Sequence, residues 1–256
     1  MSNPQVDIGE AAVSYFTGSQ GHKIAYRDSG DSTEVVVLLH GFLNSGANWE
    51  GTSLLETLRD EGYRVIIPDL LGNGDSDHPD DATAYADHAE ARQVMELLAN
   101  LGIRQYTVLG YSRGATIAVD LLLRDPRIKR AILGGMGYDF TNPEWPRRLA
   151  FAEGFRAGQS ADPDVQSAID YANSIDRDLT TLYYQQLHQP SVSPDELRSV
   201  PIPVLIVSAT GDRSNGDPGR LERLFEFGKL SIVPGTHDDA YQNPVFAAAV
   251  MGFLRS

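Results

Sequence analysis

Residues 110–114 constrain the fold of this 256-residue chain more than any other segment. They read Gly-Tyr-Ser-Arg-Gly, after an apolar run at 106–109 and before a helical pattern at 115–123. A strand that turns this sharply into a helix lifts a serine hydroxyl out of a sheet and places it at a helix N-terminus. Short glycine-containing turns also occur by chance, so it is the strand-to-helix context that predicts Ser112 as a nucleophile.

Strand and helix patterns alternate along most of the chain. Helical patterns cover 54–58, 84–101 and 115–123, and the last helix is predicted to begin at Pro244 with Asn243 as its N-cap. Strand patterns cover 11–17, 22–28, 35–39, 64–67, 106–109, 131–133, 204–207 and 230–233. The first two strands read as a hairpin joined by residues 18–21. The alternation predicts an α/β fold, a mostly parallel twisted sheet flanked by helices.

The alternation stops between residues 136 and 200. Asp162 precedes a proline and a helical pattern, and Ser193 begins a capping box. The spacing of Trp145, Leu149, Ala152 and Phe155 predicts a further short helix. An excursion of this length reads as an insertion, so we expect a core formed by 1–135 and 201–256 and a helical cap at 136–200.

Composition excludes several classes of function. The formal net charge is −14, which disfavours binding to nucleic acid or to anionic membranes. The chain has no cysteine, and therefore no disulfide, thiolate nucleophile or sulfur-ligated metal site. No apolar stretch approaches the roughly 18 residues of a spanning helix, and the first residues lack a signal-peptide pattern. We expect a cytoplasmic protein that acts on a small molecule; the oligomeric state cannot be read from the sequence.

A serine hydroxyl needs a base, almost always a histidine oriented by a carboxylate. Six histidines are present: His22, His40, His78, His88, His188 and His237. His237 follows the last strand pattern, and Asp212 follows the strand at 204–207. Loops after the strands of a parallel sheet converge on one edge, the edge that also carries Ser112. Because each of them follows a predicted strand, Ser112, Asp212 and His237 are predicted to lie close together at that edge.

Four blocks of sequence resemble the α/β-hydrolase superfamily, in its serine-nucleophile branch. They are residues 40–42 followed by Trp49, the loop at 69–77, the elbow at 110–114, and the late loops with Asp212 and His237. The resemblance runs from about residue 12 to 254, the cap excepted. It implies Ser112 as nucleophile, His237 as general base and acid, and Asp212 as the carboxylate that orients His237.

The resemblance also implies supporting groups. Backbone N–H groups of Phe42 and Arg113 would form the oxyanion hole. His40 is expected to hydrogen-bond locally, and Asp69 to organise its loop. Asp139, Asp217 and Asp239 remain open as substitutes for Asp212, Asp139 because some relatives place the acid after the preceding strand. Residues expected near the substrate are Gly41, Tyr111, Tyr138 and Trp145.

The nucleophile position separates branches of the superfamily. Members that resemble haloalkane dehalogenases and epoxide hydrolases carry aspartate there, whereas Ser112 implies acyl transfer. The resemblance implies a carboxylic ester hydrolase that works through an acyl-enzyme without metal or cofactor. Lactonase, C–C bond hydrolase and cofactor-free perhydrolase activities stay open, as does a small-ligand receptor on a hydrolase scaffold, since a fold does not determine function.

Overall fold

A single eight-stranded sheet runs through residues 12–256, the part of the chain that the computed structural model describes. The strand order is β1-β2-β4-β3-β5-β6-β7-β8. The strands are β1 (Ser14–Thr17), β2 (Lys23–Asp28), β3 (Val35–Leu39), β4 (Arg64–Pro68), β5 (Tyr106–Tyr111), β6 (Ile128–Gly134), β7 (Val204–Ala209) and β8 (Gly228–Val233). The N-terminal segment used for the signal-peptide prediction, and the first residue of the first predicted strand, lie outside the described residues.

The sheet is antiparallel at one edge and parallel elsewhere. β1 and β2 form the predicted hairpin, and β2 also pairs antiparallel with β4. The ladders from β4 through β3, β5, β6 and β7 to β8 are all parallel. The predicted fold class is confirmed.

The central strand β3 is apolar throughout because both faces of the sheet are covered. Val35, Val37 and Leu39 pack into one hydrophobic cluster, and Val36 and Leu38 pack into another on the opposite face. Successive side chains of a strand point to opposite faces, so a strand buried on both sides needs a continuous apolar run.

Helices cover both faces. They are α1 (Ser53–Asp60), α2 (Ala89–Asn100), α3 (Arg113–Arg124), α4 (Pro146–Ala157), α5 (Pro163–Ser174), α6 (Leu179–Leu187), α7 (Pro194–Arg198), α8 (Pro218–Glu222) and α9 (Pro244–Leu254). α2 and α3 contribute to the first cluster, and α1 and α9 to the second. Asn243 caps α9 and accepts from the N–H of Val245 at 2.8 Å, as predicted.

The helix predicted at 84–101 begins later than expected. A short 3₁₀ turn occupies Ala82–Tyr85, and α2 begins at Ala89. Asp87 and His88 have φ values of 53° and 60°, in the left-handed region. An L-residue with positive φ cannot continue a right-handed helix, so these two residues separate the two segments.

The segment between β6 and β7 is helical, as expected. It contains α4 to α7, and Phe155, Val165, Ile169 and Leu182 form a small cluster of their own. Asp162 caps α5, and Ser193 with Glu196 forms the predicted capping box of α7. The division into a core and a cap at 136–200 stays a prediction.

The short helix predicted from Trp145 to Phe155 is present as α4, but one of the residues that indicated it faces solvent. Leu149 is 52% exposed, whereas the neighbouring Arg148 is only 8% exposed. Both positions are compatible with the helical spacing from Trp145 to Phe155. The structure turns the arginine inward.

Within residues 12–256, no helix is both long and apolar enough to cross a lipid bilayer.

Candidate functional site

Ser112 lies at a strained turn between β5 and α3. Its φ and ψ are 53° and −120°, outside the usual regions for a residue with a side chain. Its N–H donates to the Gly134 carbonyl at 2.8 Å, and its carbonyl accepts from the Ala115 N–H at 2.9 Å. These bonds hold the turn, so Ser112 stands at the N-terminus of α3.

The glycines on either side of Ser112 are required by close backbone approach. A Cβ at Gly110 would lie 2.1 Å from the Gly114 carbonyl oxygen. A Cβ at Gly114 would lie 2.4 Å from the carbonyl oxygen of Leu39 on β3. Strand, turn and helix can therefore approach this closely only without side chains at the two positions.

Ser112, His237 and Asp212 form a continuous hydrogen-bonded chain. His237 Nε2 lies 2.9 Å from Ser112 Oγ, and His237 Nδ1 lies 2.7 Å from Asp212 Oδ2. The Asp212 side chain is 3% exposed, against 28% for His237. A carboxylate so close to Nδ1 requires a hydrogen there, which leaves the Nε2 lone pair facing the serine hydroxyl.

Asn215, which the sequence analysis missed, completes the hydrogen bonding of Asp212. Its side-chain amide donates to Asp212 Oδ1 at 2.8 Å. The same nitrogen lies 2.7 Å from His237 Nδ1. Because Nδ1 gives its hydrogen to Asp212 and has no free lone pair, this second contact is not a hydrogen bond. Asn215 is one polar residue among several in its loop, so sequence alone offers no signal that selects it.

Tyr111 supports His237 from the other side. Its hydroxyl donates to the His237 backbone carbonyl at 2.7 Å, and the two rings lie 5.6 Å apart. Burial raises the pKa of Tyr111 well above its ordinary value, with the charge of Asp212 adding to the effect. The hydroxyl therefore stays protonated and donates to that carbonyl.

None of the three substitute acids is hydrogen-bonded to His237 in the described residues. Asp217 caps α8, accepting from the N–H of Gly219 at 2.8 Å, and Asp239 accepts from the N–H of Thr236 at 2.6 Å. Asp139 makes no side-chain hydrogen bond to His237 within the described residues, where the carboxylate in contact with His237 is Asp212.

The backbone N–H groups of Phe42 and Arg113 lie at the edge of the same site. Both residues line the cavity that contains Ser112. In the described part of the chain, neither N–H donates a backbone hydrogen bond. Arg113 is the first residue of α3, where helix geometry leaves an N–H without an intrahelical acceptor.

His40 and Asp69 organise the loops beside Phe42, as expected. His40 Nδ1 lies 2.9 Å from the Gly41 carbonyl oxygen, and Nε2 accepts from the Leu70 N–H at 3.0 Å. Asp69 accepts from the N–H groups of Gly46 and Asp75 at 2.6 and 2.8 Å. Burial lowers the pKa of His40 to about 4, so the ring is neutral at ordinary pH.

A cavity of about 500 Å³ opens onto the serine. Its apolar wall comes from the loop after β3 and from the segment before β7: Phe42, Leu43, Phe140, Trp145, Phe151, Ala168 and Tyr171. Its polar wall includes Arg147, Arg148, Asp164, Gln186, Gln189 and Arg213. Cavities of this size and mixed lining are typical of sites for small organic molecules.

Of the four residues expected near the substrate, the structure places Trp145 on the cavity wall. Gly41 lies next to Ser112, where an added Cβ would be 3.5 Å from the serine Cβ. Tyr111 is buried behind His237. The Tyr138 ring lies 3.6 Å from the Arg220 guanidinium and is not part of the wall. The sequence shows that aromatics are abundant in 136–200, but not which of them face inward.

The arrangement can perform one kind of chemistry directly. A neutral imidazole can remove a proton from Ser112, and a buried carboxylate can stabilise the resulting imidazolium. In the described residues, no group of three or more His, Asp or Glu side chains is arranged to hold a metal ion.

Comparisons with known proteins agree with this architecture. The sequence model of a family described as alpha/beta hydrolase fold matches residues 34–174. Over 147 residues the chain is 34% identical to a 2-hydroxy-6-oxononadienedioate/2-hydroxy-6-oxononatrienedioate hydrolase of Pseudomonas putida, covering 55% of this chain and 51% of that protein. Over 176 residues it is 28% identical to epoxide hydrolase 2 of Siraitia grosvenorii, covering 68% and 48%.

The chain spans about half the length of these curated relatives. Solved structures match over more of the chain. An esterase of Rhodococcus sp. ECU1013 is 26% identical, with a TM-score of 0.71, and the match covers 95% of this chain and 98% of that one. An esterase of Exiguobacterium antarcticum, 21% identical with a TM-score of 0.76 over 94% and 99%, shares the fold. With more than half of its residues matched by the family model, the chain belongs to the alpha/beta hydrolase fold family.

Proposed function

We propose that the protein is a serine hydrolase that cleaves a carboxylic ester, or a related acyl bond, of a small organic substrate. The observation that carries the proposal is the 2.9 Å contact between Ser112 Oγ and His237 Nε2, with Asp212 on the far side of the ring. A nucleophile, a base and an orienting carboxylate in this order are the parts that acyl transfer requires.

In the first half of the reaction, Ser112 Oγ attacks the acyl carbon while His237 Nε2 takes the hydroxyl proton. The carbonyl oxygen becomes an oxyanion, which accepts from the N–H groups of Phe42 and Arg113. Such donors commonly contribute about 3 kcal/mol each. The intermediate collapses as His237 returns the proton to the departing alcohol, which leaves an acyl ester on Ser112.

In the second half, His237 removes a proton from water, and the hydroxide attacks the acyl-enzyme. The new tetrahedral intermediate expels Ser112 Oγ, which regains its proton from His237. The products are a carboxylic acid and the free enzyme. Asp212 keeps the hydrogen on Nδ1 throughout and stabilises the positive ring between proton transfers.

Serine at position 112 favours acyl transfer over epoxide opening. Family members that resemble epoxide hydrolases form an alkyl ester on an aspartate. A serine ether formed by epoxide opening would have no acyl carbon for water to attack. The similarity to the Siraitia grosvenorii epoxide hydrolase therefore supports the fold of this chain rather than its reaction.

Hydrolysis of a C–C bond beside a ketone is the second candidate. The 34% identity to the Pseudomonas putida hydrolase favours it. The same serine and base can serve a ketone carbonyl, with a carbanion in place of the alkoxide leaving group. We infer for both reactions that α4 to α6 form a lid over the substrate, because residues of these three helices line the cavity that contains Ser112.

A substrate panel separates these candidates. Purified protein and its Ser112→Ala variant are assayed with p-nitrophenyl butyrate, a δ-lactone, a vinylogous 1,5-diketone and styrene oxide. We expect hydrolysis of the ester by the wild-type protein and none by the variant. Cleavage of the diketone but not of the ester would favour the C–C hydrolase. Tight ligand binding without turnover of any substrate would overturn the proposal in favour of a receptor.

A further inference from the structure

A buried arginine without a carboxylate partner lies on the cavity wall. Arg148 on α4 is 8% exposed and lines the cavity that contains Ser112. Its side chain donates to Ser191 Oγ at 2.9 Å and to the carbonyl oxygens of Leu187 and Gln189. All three acceptors are neutral, so the guanidinium charge is not balanced by any of them.

The other arginines of the cavity differ from Arg148. Arg113, 3% exposed, forms an ion pair with the buried Glu90. Arg147 forms an ion pair with Asp164 at 2.8 Å. Arg213 is exposed to solvent. Arg148 is therefore the buried cation in this wall for which the described residues provide no anion.

Burying an unpaired charge is costly, and a guanidinium stays charged even when it is buried. Burial lowers the pKa of Arg148, and the nearby charge of Arg113 lowers it further. Arginine has five N–H donors, and three of them are used by the neutral acceptors. The remaining donors are the Nε–H and one Nη1–H, which point in different directions, so a carboxylate would accept one charge-assisted hydrogen bond from either of them.

Two neutral amide side chains line the same cavity as the Arg148 guanidinium. The side chains of Gln186 and Gln189 are 7% and 5% exposed, and both line the same cavity. Gln189 is also the residue whose carbonyl accepts from Arg148. The wall thus joins a buried cation to two amide side chains, whereas the aromatic groups lie on the apolar part of the wall.

We propose that Arg148 binds a carboxylate of the substrate, at a position remote from the bond that is cleaved. The inference rests on the proposed function in that Ser112 and Arg148 line one cavity, so a single small molecule would contact both. It narrows the substrate to an acyl compound that also bears an anionic group, even though the whole protein has a net charge of −14.

A matched pair of esters tests the proposal. Mono-p-nitrophenyl glutarate and p-nitrophenyl pentanoate have acyl chains of equal length and differ by a terminal carboxylate in place of a methyl group. We expect the Arg148→Met variant to lower kcat/KM for the glutarate ester at least tenfold, chiefly through KM, with at most a threefold change for the pentanoate ester. Arg148→Lys should lie between, because lysine keeps the charge without the fixed, planar set of donors of the guanidinium.

Three control variants separate recognition from structure. Ser191→Ala removes a hydrogen bond of Arg148 but no charge, and Arg147→Met and Arg213→Met remove other cavity charges. In all three variants the ratio of kcat/KM for the glutarate ester to kcat/KM for the pentanoate ester should stay at the wild-type value. Equal loss of both esters in Arg148→Met would mean that Arg148 only holds α4 to residues 187–191. The proposal would also be overturned if this ratio fell in Arg147→Met or Arg213→Met and stayed at the wild-type value in Arg148→Met.

A binding measurement keeps this inference separate from the proposed function. Glutarate is titrated calorimetrically into wild-type protein and into Arg148→Met. We expect binding to the wild type and at least tenfold weaker binding to the variant. This result, found in a protein that hydrolyses neither ester, would overturn the proposed function and leave the carboxylate site standing. Hydrolysis of the neutral ester with no Arg148-dependent binding of glutarate would overturn the carboxylate site and leave the proposed function standing.

Discussion

The side-chain amide of Asn215 donates a 2.8 Å hydrogen bond to Asp212 Oδ1 and so holds the carboxylate that contacts His237. Asp212 and Asn215 lie in the loop after β7, three residues apart. Asn215 is 6% exposed, which shields its hydrogen bond from water. The orientation of the imidazole thus depends on a residue that takes no part in proton transfer.

The first prediction concerns this residue. Asn215→Ala should lower kcat roughly tenfold with little change in KM, because a hydrogen bond to a charged group contributes about 1.5 to 3 kcal/mol. The measurement is a double-mutant cycle with Asp212→Ala, read by steady-state kinetics. In the Asp212→Ala background the Asn215 substitution should have almost no further effect. A full tenfold loss there would show that Asn215 acts independently of Asp212.

The second prediction concerns the acid. Asp212→Asn should lower kcat by up to about 10⁴-fold, because an amide at this position favours the wrong imidazole tautomer. Asp139→Asn serves as the matched control, since Asp139 makes no side-chain hydrogen bond to His237 in the described residues. It should change kcat by less than about threefold. A larger loss for Asp139→Asn than for Asp212→Asn would reassign the acid.

A third prediction concerns His40 and acid stability. In the folded protein burial lowers the pKa of His40 to about 4, from an ordinary value of 6.5. Its Nε2 accepts from the Leu70 N–H, so protonation would break that bond. Between these pH values the unfolded chain binds a proton that the folded chain does not. The free energy of unfolding therefore falls as the pH falls from about 6.5 towards 4.

The measurement is urea unfolding at pH 7.5 and pH 5 for wild type and His40→Gln. Glutamine can donate and accept hydrogen bonds but does not titrate. Wild type should lose about 2 kcal/mol more between these pH values than the variant does. Equal losses in both proteins would show that His40 does not contribute to acid unfolding.

The outline of this molecule is readable from its sequence, and its finer contacts are not. The run at 35–39 predicts a strand buried on both faces, and β3 spans Val35–Leu39. Chain order and the convergence of loops at one edge of the sheet predict that Ser112, Asp212 and His237 lie together, as they do in the structure. These features depend on patterns several residues long, which periodicity and topology determine.

The features that the sequence does not predict depend on which way single side chains face. The helical spacing from Trp145 to Phe155 accommodates either Arg148 or Leu149 on the inner face, and the structure buries the arginine. In our proposal a negatively charged ligand favours the buried arginine, and the sequence holds no information about that ligand. Tyr138 was expected near the substrate, but its ring packs on Arg220. Because Arg220 is distant in sequence, local patterns do not predict this contact.

A fourth prediction follows from the size of the cavity. About 500 Å³ accommodates a small or medium-sized molecule, and charged groups interrupt the apolar wall. Among p-nitrophenyl acetate, butyrate, octanoate and palmitate, kcat/KM should be highest for one of the three shorter esters. A maximum at palmitate, with activation at a lipid–water interface, would contradict this prediction.

The most direct test of the account is covalent labelling of Ser112. A fluorophosphonate reacts with a serine only when a base activates its hydroxyl and an oxyanion hole receives the phosphonyl oxygen. Peptide mass spectrometry of the labelled wild-type protein should place one adduct on Ser112, with labelling lost in Ser112→Ala and strongly slowed in Asp212→Asn. An adduct on another residue, or ester hydrolysis that persists in a folded Ser112→Ala protein, would contradict it.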